Sequence, residues 1–250
     1  MKNKLLKKVL GIFEYKLIDK NLFKNNRLLS DKSFLTMNII LKNIFEKKKI
    51  NNLIQIGAND GDRFDILNYY IKKYQTKSLL VEPIKKNFEQ LKKNYKNYNF
   101  ITFDNSAISV NNEISYLYKV DSLKIKNYDN HIPGITSFDK NHLIKHGVKK
   151  SHIIREIVNS ISIKELIEKH NFSEFELLFL DTEGYDGKII NDFFLNLTIR
   201  PIIILEYVHI NNGIFKKLVT NLEKNKYLFF SINENMLCFP EEKKELINFN

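Results

Sequence analysis

The sequence predicts an α/β fold: a mostly parallel, doubly wound sheet with a C-terminal antiparallel hairpin and an N-terminal helical extension. Three observations predict it. Short runs that are apolar throughout recur from residue 52 onward, as strands do when helices cover both faces of a sheet. Stretches with helical spacing of apolar residues lie between several of these runs. Small and acidic residues follow the runs, at the strand ends where open α/β sheets bind ligands.

The bulk composition agrees. A chain of 250 residues is long enough for one such domain, and 43% hydrophobic with 28% charged residues describes a globular protein. The single Cys238 excludes an internal disulfide framework and a thiolate metal cluster, and fits a cytoplasmic, reducing setting. No apolar run is long enough to span a bilayer. Met1 to Leu10 is basic and mildly apolar, but no cleavage site follows, so a signal peptide is not expected. The net charge of +11 invites a nucleic-acid or membrane reading. The excess, however, is mostly Lys spread along the chain, with Arg only at Arg27, Arg63, Arg155 and Arg200. Arg is the residue favoured for bidentate phosphate and base contacts, so a solvated surface is expected and no nucleic-acid partner.

Taken in order, residues 1–48 read as a helical extension. Leu5, Leu6, Val9, Leu10, Phe13 and Leu17 recur at helical spacing, as do Phe34, Met37, Ile40, Leu41, Ile44 and Phe45. Asn25 to Arg27 mark a break, and Ser30 or Asp31 suits an N-cap. The first helix is compatible with peripheral membrane contact through residues 1–20, or with packing on the domain or on a second subunit of a homo-oligomer. Residues 49–250 form the second domain. Its strands are expected at Leu53–Ile56, Ser78–Val81, Phe100–Phe103, Leu177–Leu180 and Ile202–Leu205, with a closing hairpin of Tyr227–Ile232 and Met236–Phe239. Helical patterns cover Asn87–Tyr95, Ile163–His170 and Gly213–Lys224. Residues 111–160 are far longer than a connection requires and carry His131, His142, His146 and His152. They are expected to form a lid or substrate insertion over the carboxyl ends of the strands.

Five corners carry the chemistry. Ile56-Gly57-Ala58-Asn59-Asp60-Gly61 is a strand running into a tight turn; the two glycines allow sharp backbone bends and close ligand approach. Its spacing differs from the GxGxxG that cradles a pyrophosphate. Glu82 ends the second strand, where a carboxylate can accept both ribose hydroxyl protons. Asp104, Asn105 and Ser106 follow the third run, with Asp104 or Asn105 placed to bond an adenine edge. The fourth run ends in Asp181-Thr182-Glu183-Gly184-Tyr185-Asp186, and the fifth in Glu206 with His209 close behind. Carboxylates this dense require a cation, a hydrogen-bond network or a raised pKa.

Together these motifs resemble the FkbM-type S-adenosylmethionine (SAM) dependent methyltransferases over about residues 50–210. The match runs through Gln55 to Gly61, Val81-Glu82-Pro83, Asn105 to Ser109, Gly134-Ile135-Thr136-Ser137-Phe138 with His142, Ile163 to Ile167, Leu180 to Gly184, and Ile204 to Tyr207. The resemblance implies a class I, Rossmann-like methyltransferase domain that uses SAM and methylates a hydroxyl, often on sugars or polyketide-like molecules. SAM carries an amino acid and a nucleoside without a pyrophosphate, which suits the Gly57–Gly61 loop. The chain departs from the family at Tyr185-Asp186, where a small residue and then Glu are more usual.

An acceptor hydroxyl is a poor nucleophile and needs a proton acceptor. His142, Asp181, Glu183 and His209 are the candidates; His142 is favoured because histidine is the residue type that exchanges protons near neutrality and this one sits on the lid. A divalent metal on Asp181, Glu183 and Glu206 would serve the same end. The alternative reading is a non-catalytic module that binds nucleotide or nucleic acid.

Overall fold

A computed structural model describes residues 36–48, 50–63, 65–110, 115–129 and 132–243. The expected helix over residues 5–17, its membrane contact, the cap at Ser30 or Asp31, and His131 lie outside the described residues. The chain divides into two compact units, residues 1–39 and 40–250, and the elements from Ile40 onward belong to the second.

Twelve strands and seven α-helices make up the described structure. The strands are β1 (Asn52–Ile56), β2 (Lys77–Val81), β3 (Ile101–Asp104), β4 (Ala107–Ile108), β5 (Ser115–Val120), β6 (Thr136–Ser137), β7 (Ile153–Val158), β8 (Ser160–Ile161), β9 (Leu177–Leu180), β10 (Ile202–Glu206), β11 (Tyr227–Ile232) and β12 (Asn235–Pro240). The helices are α1 (Met37–Lys48), α2 (Asn68–Tyr74), α3 (Lys85–Asn94), α4 (Lys140–Lys145), α5 (Ile163–Lys169), α6 (Asp186–Asn196) and α7 (Asn212–Lys224).

The central sheet has seven strands in the order β11-β12-β10-β9-β1-β2-β3. Pairing is parallel from β3 to β10, while β12 runs antiparallel to both β10 and β11. Alternate residues explain why the strand runs are apolar throughout. Ile54, Ile56, Leu79, Val81, Leu178, Leu180, Ile203 and Leu205 pack with α5, α6 and α7 in one core. The residues between them, Leu53, Leu80, Leu177, Phe179, Ile202 and Ile204, are buried too, so both faces are covered. On α1, Ile40, Leu41, Ile44 and Phe45 are buried, and Phe45 stacks on Tyr70 and Tyr74 of α2. The last turns of the stretch assigned to the extension are therefore core of the second unit.

The register places the site. Ile56 pairs with both Val81 and Leu180, and Leu180 pairs with Leu205. The next residue on each strand is Gly57, Glu82, Asp181 or Glu206, so these four stand abreast along the carboxyl edge. In β3, Val81 pairs with Asp104, so Asp104 is still a strand residue on the face that α5 covers.

Residues 115–158 form an antiparallel sheet of order β6-β5-β7 with α4 packed against it. It has its own small core of Val120, Ile132, Ile135, Leu143, Val148 and Ile153. Its base is held by β4 pairing in parallel with β8, and by Ser115 Oγ lying 2.8 Å from Ser160 Oγ.

Gly57 is the tightest point of the sheet edge. Its φ is +86°, and a Cβ there would lie 1.9 Å from the Asp181 carbonyl oxygen. Gly57→Ala is expected to lower the unfolding free energy by at least about 3 kcal/mol, because left-handed strain and a backbone clash add together. Denaturant unfolding measures this, and a loss under about 1 kcal/mol would contradict the packing described.

Candidate active site

The four strand ends open onto a cavity of about 230 Å³. Gly57, Ala58 and Asn59 form one wall, Glu82 and Ser106 another, and Asp181, Glu183 and Glu206 the floor between the sheet and the insertion. The insertion contributes Gly134, Thr136 and Phe138. The cavity is acidic: Asp65, Glu82, Asp181, Glu183, Glu206 and Glu234 line it, against Arg63 as the sole cation among the described lining residues.

Local hydrogen bonds fix each wall. The turn after β1 folds back on β2, with Gly57 and Ala58 both donating their N–H to the Val81 carbonyl at 3.0 Å. Asn59 (φ +49°) donates its N–H to Glu82 Oε2 at 3.0 Å, and Ile84 donates to Glu82 Oε1 at 2.8 Å. Glu82 is thus buried and oriented by backbone before any ligand binds. Burial dominates these bonds and raises its pKa to about 7. Asp181 exposes its side chain to the cavity while protein walls surround it. That enclosure, then the charges of Glu183 and Asp186, raises its pKa to about 8. Glu206 is raised to about 9 by burial first and Asp181 second.

Gln55 Oε1, Asp65 Oδ2 and Glu206 Oε2 are buried without a hydrogen-bond partner on residues that line the cavity. An acidic cleft favours a ligand that brings donors and positive charge. SAM fits that requirement with its ammonium, sulfonium and ribose hydroxyls. Gln55, Asn59, Glu82 and Asp65 are the residues that would hold it.

Not every expected residue reaches the wall. Asp104, expected at an adenine edge, is 2% exposed and lies off the cavity. Its Oδ2 accepts from Lys169 Nζ at 2.7 Å and lies 2.6 Å from His170 Nε2, and those partners, against the opposing effect of burial, lower its pKa. The reason is register: Asp104 is one position short of the edge on which Glu82 stands. Asn105 is also off the wall, because its side-chain amide donates to the carbonyls of Glu82 and Pro83. Asp60 accepts from the N–H groups of Asp62 and Arg63, and Gly61 packs against Leu91 and Tyr95. Both shape the turn without lining the cavity. Asp186, at the start of α6, is fully buried and accepts from Thr182 Oγ1 at 2.7 Å, so it braces the β9 corner.

The lid histidine sits beside the cavity. His142 Nε2 lies 2.8 Å from Glu183 Oε2, and Glu183 is the one of the two on the wall. Glu183 (φ +53°) is held from the insertion side as well, since Ser137 Oγ donates to its carbonyl at 3.1 Å. The rings of His142, His146 and His209 lie 4.6–5.0 Å apart, centroid to centroid. Of the three carboxylates that the sequence offered for a metal, Glu183 lies in a group with these histidines whose donor atoms could hold an ion, and Asp181 and Glu206 are not in that group. Tyr185, the departure from the family pattern, leans on Phe138 at 4.5 Å between ring centroids and reaches Ser109 Oγ at 3.3 Å. Gln55 and Asp65 were missed on sequence. A polar residue inside a buried strand run was a signal for Gln55; Asp65 lies in a loop that carried none.

A parallel sheet whose last strand is reversed, with an acidic cleft over Gly57 and Glu82, defines a class I methyltransferase. The chain belongs to the FkbM methyltransferase family: the methyltransferase FkbM domain matches residues 55–229, which makes this a SAM-dependent methyltransferase. Among solved structures, it is similar to a ribosomal protein L11 methylase from Lactobacillus delbrueckii subsp. bulgaricus (11% identity, 80% of this chain and 74% of that one, TM-score 0.39). It is also similar to an O-methyltransferase from Bacillus cereus in complex with SAH (8% identity, 94% and 96%, TM-score 0.42). A third is a methyltransferase FkbM from Methylobacillus flagellatus KT (12% identity, 76% of this chain and 43% of that one, TM-score 0.41). No curated protein matches the chain. Among the described residues no helix is long and apolar enough to cross a membrane.

Glu82 gives the fold a measurable pH dependence. Its folded pKa of about 7 exceeds the ordinary 4.5, so between those values the folded chain keeps a proton that the unfolded chain releases. Stability therefore falls as pH rises through that window. Unfolding of the parent and Glu82→Gln at several pH values should show the steeper fall in the parent. Parallel curves would refute the assignment.

Proposed function

We propose that this enzyme transfers the methyl group of SAM to a hydroxyl of a small molecule or glycan, a sugar being the acceptor class the site suits best. The observation that carries this reading is the single cavity shared by Gly57, Glu82, Asp181 and Glu206. Carboxyl groups that line one cavity can each hydrogen-bond a hydroxyl of the acceptor, as donor or as acceptor according to their protonation.

Bound SAM supplies an electrophilic methyl group; the remaining work falls to side chains. Glu82 accepts the ribose hydroxyl protons, and the Gly57–Asn59 turn lets the ligand approach the backbone. The insertion excludes water and orients the acceptor through Thr136 and Phe138. Holding the reactants in line contributes roughly 7–11 kcal/mol. The acceptor hydroxyl loses its proton to Asp181, whose carboxyl opens on the cavity between Glu82 and Glu206 in the sheet-edge row. This role passes to Asp181 from His142, because the imidazole is engaged with Glu183 beside the cavity and does not line it.

Calorimetry with SAM is expected to give one-to-one binding that Glu82→Gln weakens about tenfold, the worth of one hydrogen bond to a charged group. Transfer of labelled methyl groups to a panel of sugars and other hydroxyl, amine and thiol acceptors then tests the reaction. Asp181→Asn should bind SAM normally while kcat drops by about 10²–10⁴-fold. Label appearing on nitrogen or sulfur, or an undiminished kcat in Asp181→Asn, would overturn the assignment.

A further inference from the structure

We propose that His142, His146, His209 and Glu183 form a binding site for one divalent transition-metal ion, which clasps the insertion to the sheet edge. One ligand atom from each of the four lies within 4.8 Å of the others. They come from three separate pieces of chain: α4 in the insertion, the turn after β9, and the segment after β10.

His142 and His146 are four residues apart at the C-terminal end of α4, so both rings face one side. The same spacing lets two imidazoles of a helix hold zinc in many metalloenzymes. His209 arrives because the chain after β10 packs on Gly184. A Cβ at Gly184 would lie 2.8 Å from the His209 carbonyl oxygen, so only glycine lets that segment approach.

The donor set has a chemical preference. Three neutral imidazoles are borderline ligands that suit zinc, cobalt, nickel and iron, and disfavour magnesium or calcium. One carboxylate offsets half of a divalent charge. Tetrahedral donors about 2.0–2.1 Å from a metal stand roughly 3.4 Å from one another. The His142–Glu183 edge is already inside that distance at 2.8 Å, so the widest pair must close by rotamer adjustment. His142 is buried while the other three are half-buried, which leaves the ion a path from solvent.

The other two described histidines lie apart from this group: His152 Nδ1 is 2.7 Å from the Tyr128 hydroxyl, and His170 lies on Asp104. His142, His146 and His209 share one point of convergence, beside a cavity that Glu183 lines, with His209 Nε2 also 3.7 Å from Glu206 Oε1. A metal there would tie α4 to two strand-end corners at once. The contacts that already join those corners to the insertion include His142–Glu183, the bond from Ser137 to the Glu183 carbonyl, and Phe138 on Tyr185.

The test uses the full chain without an affinity tag, stripped with a chelator and titrated with cobalt(II). The expected result is one equivalent of bound cobalt with an intense visible d–d absorption, displaced by zinc. His146→Ala and His209→Ala, made separately so that one misfolded variant does not decide the matter, should each weaken cobalt binding by about 100-fold or more; loss of outer-shell partners alone costs 10–100-fold. His152→Ala should change nothing. Absence of the band, or unchanged cobalt affinity in a folded His146→Ala, would overturn the site. Because cobalt absorbance is read without SAM or acceptor, these outcomes are separate from success or failure of the methyl-transfer reading.

Discussion

The whole site depends on one constraint, the parallel hydrogen-bond register that joins β2, β1, β9 and β10. Because Ile56 pairs with Val81 and Leu180, and Leu180 with Leu205, the chain leaves four neighbouring strands at the same level. Each exit must turn sharply, and each delivers one residue to the same line. Slipping any strand by one residue would exchange the side chains packed on its two covered faces and carry its acidic end residue out of line. Core packing and site geometry are therefore the same requirement, enforced by the hydrophobic residues of the strands and not by the site residues themselves.

That arrangement has an electrostatic consequence. Burial raises the pKa values of Asp181, Glu206 and Glu82, and neighbouring carboxylates raise those of Asp181 and Glu206 further. The chain as a whole carries a net charge of +11, yet its cavity carries six carboxylates and one arginine. The positive exterior does little to relieve this, since surface lysines in water are screened over about 10 Å. Relief comes from within: the Thr182 hydroxyl and N–H bond Asp186, and the N–H groups of Asn59 and Ile84 bond Glu82.

Much of the fold was legible in the sequence because strand runs covered on both faces leave no ambiguity of period. Leu177–Leu180 and Tyr227–Ile232 were placed to the residue, and the other central strands within one position at each end. Helices α2 and α6 were less visible: α2 is a single short stretch rich in Tyr and Lys, and α6 begins within the acidic corner. At the site, Gly57, Glu82, Asp181 and Glu206 could be read because each directly follows an apolar run. Asp104 misled for the same reason. Only the pairing register shows that β3 extends one residue further, so that its acidic residue remains inside the sheet. The convergence of His142 and His146 with His209 depends on how the insertion folds back, which no local pattern encodes.

The pairing of β4 with β8 has an implication for how such an enzyme diversifies. The chain enters and leaves the insertion through two parallel strands lying side by side, with residues 109–159 looped out between them. Changes of length between those two strands need not alter the pairing of the seven-stranded sheet, because the insertion starts and ends side by side. The insertion is thus a cassette that adds Gly134, Thr136 and Phe138 to the cavity, while Gly57, Glu82 and Asp181 stand on the sheet edge. Under the proposed reaction, grafting that cassette between relatives would exchange acceptor preference on an unchanged chassis.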